Sequence, residues 1–142
     1  MTTIRQVLRE KGADVVTIMP NATVFDAIRT MADRNIGALV VMEGGKVVGI
    51  ITERTYAREV VLKGRTSPTT PVREVMETDV PYARPEQSVE ECMAVMTKTR
   101  LRHMPVFDQG ELAGLISMGD LVNSIIGHQE FTIEQLIHYI RH

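Results

Sequence analysis

The sequence predicts an α+β fold made of two copies of one β-α-β-β-α unit, and three observations support this prediction. The two halves of the chain come into register when one is shifted by 65 residues. Each half then contains an amphipathic helical stretch, followed by two short apolar runs around a turn. Each half also ends its last apolar run in a hydroxyl residue, from which a second helix is predicted to begin. A chain of 142 residues is long enough for two small repeats with a shared core.

An ordered series of matching residues defines the internal repeat. A single match at this spacing would carry little weight, whereas an ordered series on turn and core positions is hard to obtain by chance. The matching pairs are Asp14 and Asp79, Val15 and Val80, Pro20 and Pro85, Val24 and Val89, Met31 and Met96, Val41 and Val106, Gly45 and Gly110, Gly49 and Gly114, and Ile51 and Ile116. We therefore expect the two halves to fold alike.

The first helix of each copy is predicted from a hydroxyl cap and an apolar stripe at helical spacing. Thr23 is placed to cap this helix in the first copy, and Ser88 with Glu91 forms a capping box in the second. The stripes are Val24, Ala27, Ile28 and Met31 in the first copy and Val89, Cys92, Met93 and Met96 in the second. One face of each helix is therefore expected to be buried.

A β-hairpin follows this helix in each copy, and a second helix follows the hairpin. The turn sequences are GG at residues 44–45 and QG at residues 109–110, each between two apolar runs. The second helices are TERTYAREVVLK and MGDLVNSII. We expect Gly64 and Gly127 to end them, because glycine adopts the left-handed conformation common at helix C-termini.

Short helical lead-ins precede both copies, and one more helix follows the second copy. The lead-ins are TIRQVLREKG and TPVREVM, and the stretch GRTSPTTP links the halves. We assign residues 1–66 to the first repeat with its lead-in, 67–130 to the linker, lead-in and second repeat, and 131–142 to a C-terminal helix capped by Thr132. This helix has a stripe of Ile133, Leu136, Ile137 and Ile140. The stripe is either an oligomer contact or a face folded back onto its own chain.

Two such units, ending in GIITERT and GLISMGD, resemble the tandem CBS domain pair, or Bateman module. The resemblance covers nearly the whole chain and points to the small stand-alone bacterial proteins that consist of one pair. It implies two CBS repeats packed sheet to sheet about a pseudo-two-fold axis, with two related clefts. It also implies a homodimer of pairs and an adenosyl ligand, which is AMP, ADP, ATP or NAD, or S-adenosylmethionine.

Ser117 and Asp120 are the main candidate nucleotide-binding residues. They lie three residues apart at a strand-to-helix junction, so one helical turn places them on a common face. A carboxylate accepts hydrogen bonds from both hydroxyls of a ribose, and the start of a helix favours phosphate. By resemblance, Asp120 would hold the ribose, and Ser117 the ribose or the phosphate. The alternative is a capping serine followed by a favourable first-turn acid.

The resemblance also implies that the adenine lies between strand residues of the opposite repeat. These residues are Val16, Ile36, Gly37 and Ala38. Apolar walls and backbone amides suit a purine, and small residues allow it to approach the chain closely. The alternative for the same residues is ordinary core packing, and for Val16 and Ile36 both interpretations are compatible.

Four basic residues are candidates for phosphate contact. Arg102 and His103 stand where many family members carry basic residues that reach the phosphates, and their alternative is a solvent-exposed face within TKTRLRH. Arg54 and Arg58 are candidates for a second site in the first copy. Their alternative is to be surface arginines paired with acidic neighbours, Glu53 or Glu59.

The first copy departs from the family pattern at the carboxylate position. Thr52 keeps the hydroxyl, but Thr55 cannot accept both ribose hydroxyls as a carboxylate does. The loss of such a charge-assisted contact typically costs about 1.5–3 kcal/mol, or about tenfold or more in affinity. We therefore expect two unequal sites, a competent one at Asp120 and a weak, altered or empty one at Thr55.

Other chemistries receive little support from the sequence. The net charge of −2 does not favour generic nucleic-acid binding, and no glycine-rich dinucleotide or P-loop motif is present. Cys92 lies in a helical stripe and is expected to be packing, and His138 with His142 alone makes a poor zinc site. We predict no catalytic cofactor and no metal. The single cysteine, and the lack of a signal-peptide or membrane-spanning run, favour the cytoplasm.

Three functions follow from these patterns. The first is a regulatory, signal-transducing module in which an adenine nucleotide biases how two pairs, or a partner protein, fit together. The second is a small enzyme acting on nucleotides, for which the sequence offers no evident base and nucleophile. The third is a dimeric scaffold with empty clefts. Asp120 favours the sensor, whereas Thr55 favours the scaffold for one cleft.

Overall fold

A computed structural model describes residues 1–141 and divides them into two compact units. One unit contains residues 14–81, and the other combines residues 1–13 with the chain from residue 82 onward. The units therefore differ from the predicted segments 1–66 and 67–130, because each lead-in joins the copy that it does not precede. Hydrophobic burial explains the exchange, since the apolar side chains of each lead-in enter the core of that copy.

The described residues form the mixed helix and strand fold that the sequence predicts. The helices are α1 (Ile4–Lys11), α2 (Val24–Arg34), α3 (Glu53–Thr55), α4 (Val89–Thr99) and α5 (Met118–Arg141). The strands are β1 (Thr17–Ile18), β2 (Ala38–Glu43), β3 (Lys46–Thr52), β4 (His103–Asp108) and β5 (Glu111–Ser117). A π-helical segment, Tyr56–Val61, continues α3, and the second lead-in forms only a 3-10 turn, Val72–Glu74.

The two predicted hairpins are confirmed, and they have the same irregularity. β2 pairs antiparallel with β3, β4 pairs antiparallel with β5, and each ladder shifts register once near its turn. Residues 44–45 and 109–110 all have positive φ angles, as the tight turn of a two-residue hairpin loop requires. In the unit of residues 14–81, β1 adds to this hairpin in parallel beside β2.

The predicted first strand of the second copy is wrong, because it is reduced to a single bridge between Ala83 and Val106. In the first copy the N–H of Val40 donates to the carbonyl of Val16 at 3.3 Å. The residue that corresponds to Val40 is Pro105, which has no N–H to donate. The ladder therefore cannot extend beyond this position in the second copy.

The predicted caps and buried stripes of the first helices are confirmed. The N–H of Asp26 donates to Thr23 Oγ1 at 3.1 Å, and the N–H of Glu91 donates to Ser88 Oγ at 3.1 Å. The reciprocal half of the capping box differs, because the Ser88 hydroxyl donates to the Glu91 carboxylate. The fully or almost fully buried stripe residues are Val24, Ala27, Met31, Val89, Cys92 and Met96.

A glycine in the second strand of each hairpin allows a lead-in to pack directly against that strand. A Cβ atom on Gly49 would lie 2.9 Å from the backbone oxygen of Glu77 and 2.8 Å from Met76 Sδ. A Cβ atom on Gly114 would lie 2.6 Å from a methyl carbon of Leu8. Both distances are shorter than any ordinary carbon contact, so these contacts depend on glycine at both positions.

The prediction that Gly127 ends a helix is wrong, because α5 runs without a break from Met118 to Arg141. One glycine costs a helix interior about 1 kcal/mol, which flanking helix-forming residues can offset. Thr132 does not cap a separate helix, since its hydroxyl donates to the carbonyl of His128 one turn earlier, as in a helix interior. The end of the predicted 131–142 helix, at His142, lies outside the described residues.

The apolar stripe near the end of α5 is exposed and is not folded back onto the described part of the chain. Its members are Ile133 at 56% exposure, Leu136 at 56%, Ile137 at 43% and Ile140 at 80%. Of the two alternatives for this stripe, the fold-back onto its own chain is therefore not observed.

Replacing Gly127 with alanine tests the continuity of α5. The added methyl group meets open space, and alanine is the better helix former, so we expect a gain of about 0.5–1 kcal/mol in the free energy of unfolding. Gly45→Ala is the matched control, because that glycine also faces open space but has a φ of 78°. It should destabilise the protein in the same urea titration. A loss of stability for both variants would contradict an uninterrupted helix.

Candidate functional site

Ser117 and Asp120 form a reciprocal pair of hydrogen bonds where β5 ends and α5 begins. The N–H of Ser117 donates to Asp120 Oδ2 at 2.8 Å, and the N–H of Asp120 donates to Ser117 Oγ at 3.0 Å. The two residues therefore lie on a common face, as their spacing predicts. The capping role considered from the sequence is present, and it leaves the second carboxylate oxygen for another partner.

Lys11, at the end of α1, also contacts this carboxylate. Its Nζ lies 2.7 Å from Asp120 Oδ2 and donates to the carbonyl of Leu115 at 2.7 Å. The side chains are 34% exposed for Lys11 and 22% for Asp120, so water screens this ion pair only in part. The exchanged lead-in therefore brings a cation to the end of β5.

The environment of Asp120 keeps its carboxyl group ionised. Partial burial acts to raise the pKa of Asp120, but hydrogen bonds from Lys11 and Ser117 and the charge of Lys11 lower it below its usual range. The carboxylate is therefore a hydrogen-bond acceptor at neutral pH, as recognition of ribose hydroxyls requires.

His103 begins the neighbouring strand β4 beside this pair, and Arg102 directly precedes that strand. His103 is the residue opposite Ser117 in the β4–β5 ladder, and the carbonyl of Arg102 accepts a hydrogen bond from the N–H of Met118 at 2.8 Å. Opposed residues in a ladder have Cβ atoms about 4.5–5.5 Å apart. The structure thus brings His103 beside Ser117 and Asp120 and places the backbone of Arg102 at the start of α5; phosphate contact by Arg102 and His103 stays a prediction.

The first copy repeats this geometry with two threonines. The N–H of Thr52 donates to Thr55 Oγ1 at 3.2 Å, and the N–H of Thr55 donates to Thr52 Oγ1 at 3.1 Å. Thr55 is 2% exposed, and its hydroxyl also donates to Glu77 Oε1 at 3.4 Å. A carboxylate from the residue that directly follows the second lead-in therefore lies beside the position at which the first repeat lacks an acid.

The predicted adenine-contacting residues belong to the unit of residues 14–81. Ala38 lies opposite Thr52 in the β2–β3 ladder, and the carbonyl of Gly37 accepts from the N–H of Glu53 at 3.1 Å. The carbonyl of Val16 accepts from the neighbouring strand, and Val16 and Ile36 pack against the core of this unit. Core packing is therefore confirmed for Val16 and Ile36, and adenine contact stays a prediction.

A pocket of about 420 Å³ opens beside two of these residues, Ile36 and Gly37. This volume is within the range of small-molecule sites. The other lining residues are Ile28, Met31, Ala32, Asn35, Glu53 and Tyr56. Thr52 and Thr55 do not line it, so the pocket does not by itself connect the adenine and ribose candidates.

The basic candidates of the first copy are exposed near the start of the second helix. Arg54 and Arg58 both lie on the surface. The alternative partner Glu59 pairs instead with Lys63 at 2.6 Å and with Arg65 at 3.9 Å. Phosphate contact by Arg54 and Arg58 stays a prediction.

Sequence reasoning missed Lys11, in the first lead-in, and Glu77, directly after the second, which both contact the predicted sites. As isolated charges in polar stretches they resemble ordinary surface residues. The glycines of the second hairpin strands offered the available signal, since a small residue in a strand often marks a close approach by another segment. The identity of that segment depends on contacts that no local pattern contains.

Other chemical groups in the described residues do not form a further site. Burial raises the pKa of Cys92 to about 11, with a further contribution from the charge of Glu91, so this thiol is packing as predicted. Within residues 1–141 no group of three His, Cys, Asp or Glu side chains is placed to hold a metal ion. His142 lies outside the described residues. None of the described helices is long and apolar enough to span a membrane.

Comparison with known proteins agrees with the resemblance seen in the sequence. The model of the CBS domain family matches residues 4–62 and residues 72–127, one match in each copy. CBS domain-containing protein CBSX3, mitochondrial, from Arabidopsis thaliana is 35% identical over 149 residues, which cover 99% of this chain and 72% of that protein. CBS domain-containing protein YhcV from Bacillus subtilis is 36% identical over 107 residues, covering 75% and 76%.

Solved structures extend the similarity to three dimensions. A protein with CBS domains from Burkholderia ambifaria is 50% identical and superposes with a TM-score of 0.87, over 90% of this chain and 96% of that one. The CBS-domain containing protein ATU1752 from Agrobacterium tumefaciens is 37% identical with a TM-score of 0.83, covering 87% and 98%. The predicted resemblance and the predicted pair of repeats are thereby confirmed.

Replacing Lys11 with methionine tests the ion pair at Asp120. A lowered pKa in the folded state stabilises the protein above the carboxyl group's ordinary pKa of about 4, and this stabilisation is lost as pH falls through the folded-state pKa. We expect Lys11→Met to lower the free energy of unfolding by about 1–2 kcal/mol at pH 7. In urea titrations, the difference from wild type should shrink as the pH is lowered below the carboxyl group's ordinary pKa, because the folded-state pKa of Asp120 lies lower still.

Lys63→Met is the control for this experiment. Lys63 pairs with Glu59 at 2.6 Å on an exposed helical surface, where water and salt screen the pair, so its loss should destabilise the protein less than the loss of Lys11. Equal losses for both variants at pH 7, or a Lys11→Met effect that does not change with pH, would contradict the account of Asp120.

Proposed function

The chain belongs to the CBS domain family, and from this premise we propose that it is a regulatory module that binds an adenine nucleotide. The proposed ligand is AMP, ADP, ATP or NAD, with its ribose held by Asp120. The observation that carries the proposal is the Ser117–Asp120 pair, an ionised and partly buried carboxylate with a hydroxyl beside it and His103 opposite that hydroxyl residue on the next strand. Such a group is suited to two adjacent hydroxyl donors.

Ribose binding at Asp120 would exchange one partner for another. Oδ2 accepts from Lys11 and from the N–H of Ser117, which holds the carboxylate in a fixed orientation. One ribose hydroxyl would bond to Oδ1, and the second would compete with Lys11 for Oδ2. In this proposal Arg102 and His103 serve the phosphate end, and Val16 with residues 36–38 serves the adenine.

We propose a regulatory role rather than a catalytic one. The name of the Burkholderia ambifaria protein assigns it provisionally to signal transduction, which supports this choice. The observation in favour of catalysis is that His103 lies opposite Ser117 in the ladder. The Ser117 hydroxyl, however, already accepts the N–H of Asp120, as a cap does. We retain the cytoplasm as the proposed location, since a lone buried thiol suits a reducing compartment.

We also propose that the protein assembles into a homodimer through the exposed apolar stripe of α5. Four large apolar side chains on one helix face, each at least 43% exposed, favour a second apolar surface over water. A CBS-CP12 protein from bloom-forming cyanobacteria, 30% identical with a TM-score of 0.76, is hexameric, so association occurs in a protein of similar fold. The regulated partner in this proposal is a separate protein.

Calorimetric titration with AMP, ADP, ATP, NAD and S-adenosylmethionine tests nucleotide binding. We expect at least one of them to bind the wild-type protein. Asp120→Asn should weaken that binding about tenfold or more, because the amide loses the charge that strengthens both hydrogen bonds to the ribose. Glu111→Gln is the matched control, since Glu111 is an exposed acid at the other end of β5.

The outcomes separate the three functions considered for this chain. Equal binding by wild type and Asp120→Asn would overturn the assignment of Asp120. No heat with any of the ligands would favour the scaffold. Turnover of ATP or NAD during the incubation, lost in Ser117→Ala, would favour the enzyme, and we expect none.

Replacing Leu136 with glutamate tests the role of the α5 stripe in assembly. Wild-type protein should sediment as a species larger than the 15.9 kDa chain, and Leu136→Glu should shift it toward that mass, because a charge in an apolar interface is costly. Gln135→Glu adds the same charge to the neighbouring exposed position and should leave the mass unchanged. A wild-type monomer at micromolar concentration would contradict the proposal.

A further inference from the structure

We propose that Glu77 supplies the ribose-binding carboxylate that the first repeat lacks at Thr55. The ligand class is a ribonucleotide with a free 2′,3′-diol. This inference rests on the proposed function, because it concerns a second site for the same class of ligand. It replaces the expectation of a weak or empty site with that of an altered site, in which the acid comes from another segment.

The backbone at Thr52 and Thr55 has the arrangement found at Ser117 and Asp120. In each copy the first residue's N–H donates to the side chain three residues later, at 3.2 Å in the first copy and 2.8 Å in the second. The return bond measures 3.1 Å and 3.0 Å. The Thr55 hydroxyl therefore takes the place of the Asp120 carboxylate oxygen, and the framework of the site is kept without its charge.

Glu77 is held beside this framework by its own backbone. Its N–H donates to the carbonyl of Ile50 at 2.9 Å, and its carbonyl accepts from the N–H of Ile50 at 2.9 Å. Gly49 permits this approach, since a Cβ atom there would lie 2.9 Å from the Glu77 carbonyl oxygen. Ile50 precedes Thr52 by two residues on β3, so the bridge fixes Glu77 near the end of the strand.

The Glu77 carboxylate has unused capacity to accept hydrogen bonds. A carboxylate offers about four lone-pair positions. The bond from Thr55 is 3.4 Å long, which is weak for an O–H···O contact. A partly buried carboxylate in this state favours additional neutral donors, and two adjacent hydroxyls provide them.

Glu77 and Asp120 differ in what a diol would have to displace. At Asp120 the ribose competes with the Lys11 ammonium group for Oδ2. At Glu77 it would compete with a long bond from the Thr55 hydroxyl, and Thr55 would remain available as a donor or an acceptor. The site at Glu77 should therefore discriminate between a ribose and a 2′-deoxyribose.

Calorimetry with AMP and ATP, each compared with its 2′-deoxy form, tests this inference. The key background is Asp120→Asn, which isolates binding at the first repeat. We expect this variant to retain one site per chain, which binds the 2′-deoxy ligand at least tenfold more weakly. Adding Glu77→Gln should weaken binding of the ribonucleotide at least tenfold and remove that discrimination. Glu74→Gln, an exposed acid in the lead-in just before Glu77, is the control and should change neither.

A rescue variant separates recognition from a structural role. Placing the acid at the usual family position, with Thr55→Asp added to Glu77→Gln, should restore the preference for ribose over deoxyribose. Thermal unfolding of each variant verifies that the unit remains folded. The inference would be overturned if the binding that remains in Asp120→Asn were unchanged when Glu77→Gln is added.

The failures of the two proposals are distinguishable. If wild type binds no nucleotide, the proposed function itself fails. If wild type binds one nucleotide per chain and Asp120→Asn removes it entirely, the proposed function stands and the role of Glu77 is overturned. Unchanged deoxyribose discrimination in the double variant with both Asp120→Asn and Glu77→Gln would have the same meaning.

Discussion

The close packing of a lead-in against a glycine of each hairpin is the contact on which the rest of the structure depends. Gly49 accepts Met76 and Glu77, and Gly114 accepts Leu8, at distances that no side chain at either glycine would allow. The buried residues of each lead-in then complete a core that the copy could not close alone. The same packing carries a charged residue, Glu77 or Lys11, to the strand end where the hydroxyl residue begins a helix. Stability and site chemistry therefore share one cause.

Much of the fold follows from local patterns in the sequence. Three features depend only on residues a few positions apart and can be predicted from the sequence: the caps at Thr23 and Ser88, the buried stripes and the two-residue turns. The exchange of lead-ins was not predictable in this way, because it joins residues 1–13 to a segment that begins at residue 82. The prediction that Gly127 ends a helix is wrong because a glycine marks a helix end reliably only where the chain also turns. Pro105 shortens a ladder for a reason that becomes visible only once its partner strand is known.

The candidate site likewise contains residues that local spacing predicts and residues that only tertiary contacts reveal. Ser117 and Asp120 were found from their spacing, since one helical turn fixes their relation. Lys11 and Glu77 were missed because their significance comes entirely from tertiary docking. Because the contact with Glu77 is not visible in the sequence, Thr55 is interpreted there only as the loss of a carboxylate. In the structure Thr55 preserves the capping geometry and lies within hydrogen-bonding distance of another acid.

The position of these two charged residues bears on how a ligand could have a regulatory effect. Lys11 precedes the change of unit after residue 13 by two positions, and Glu77 precedes the change after residue 81 by four. Each therefore lies next to a segment through which the chain passes from one unit to the other. A ligand shifts a conformational equilibrium only through contacts that differ between the states. Under the proposed function, a ribose that takes over Asp120 or Glu77 replaces a contact made by such a connecting segment. One copy would lose an ion pair with Lys11 and the other a long hydrogen bond from the Thr55 hydroxyl, so the same nucleotide would act on the two connections with different energies.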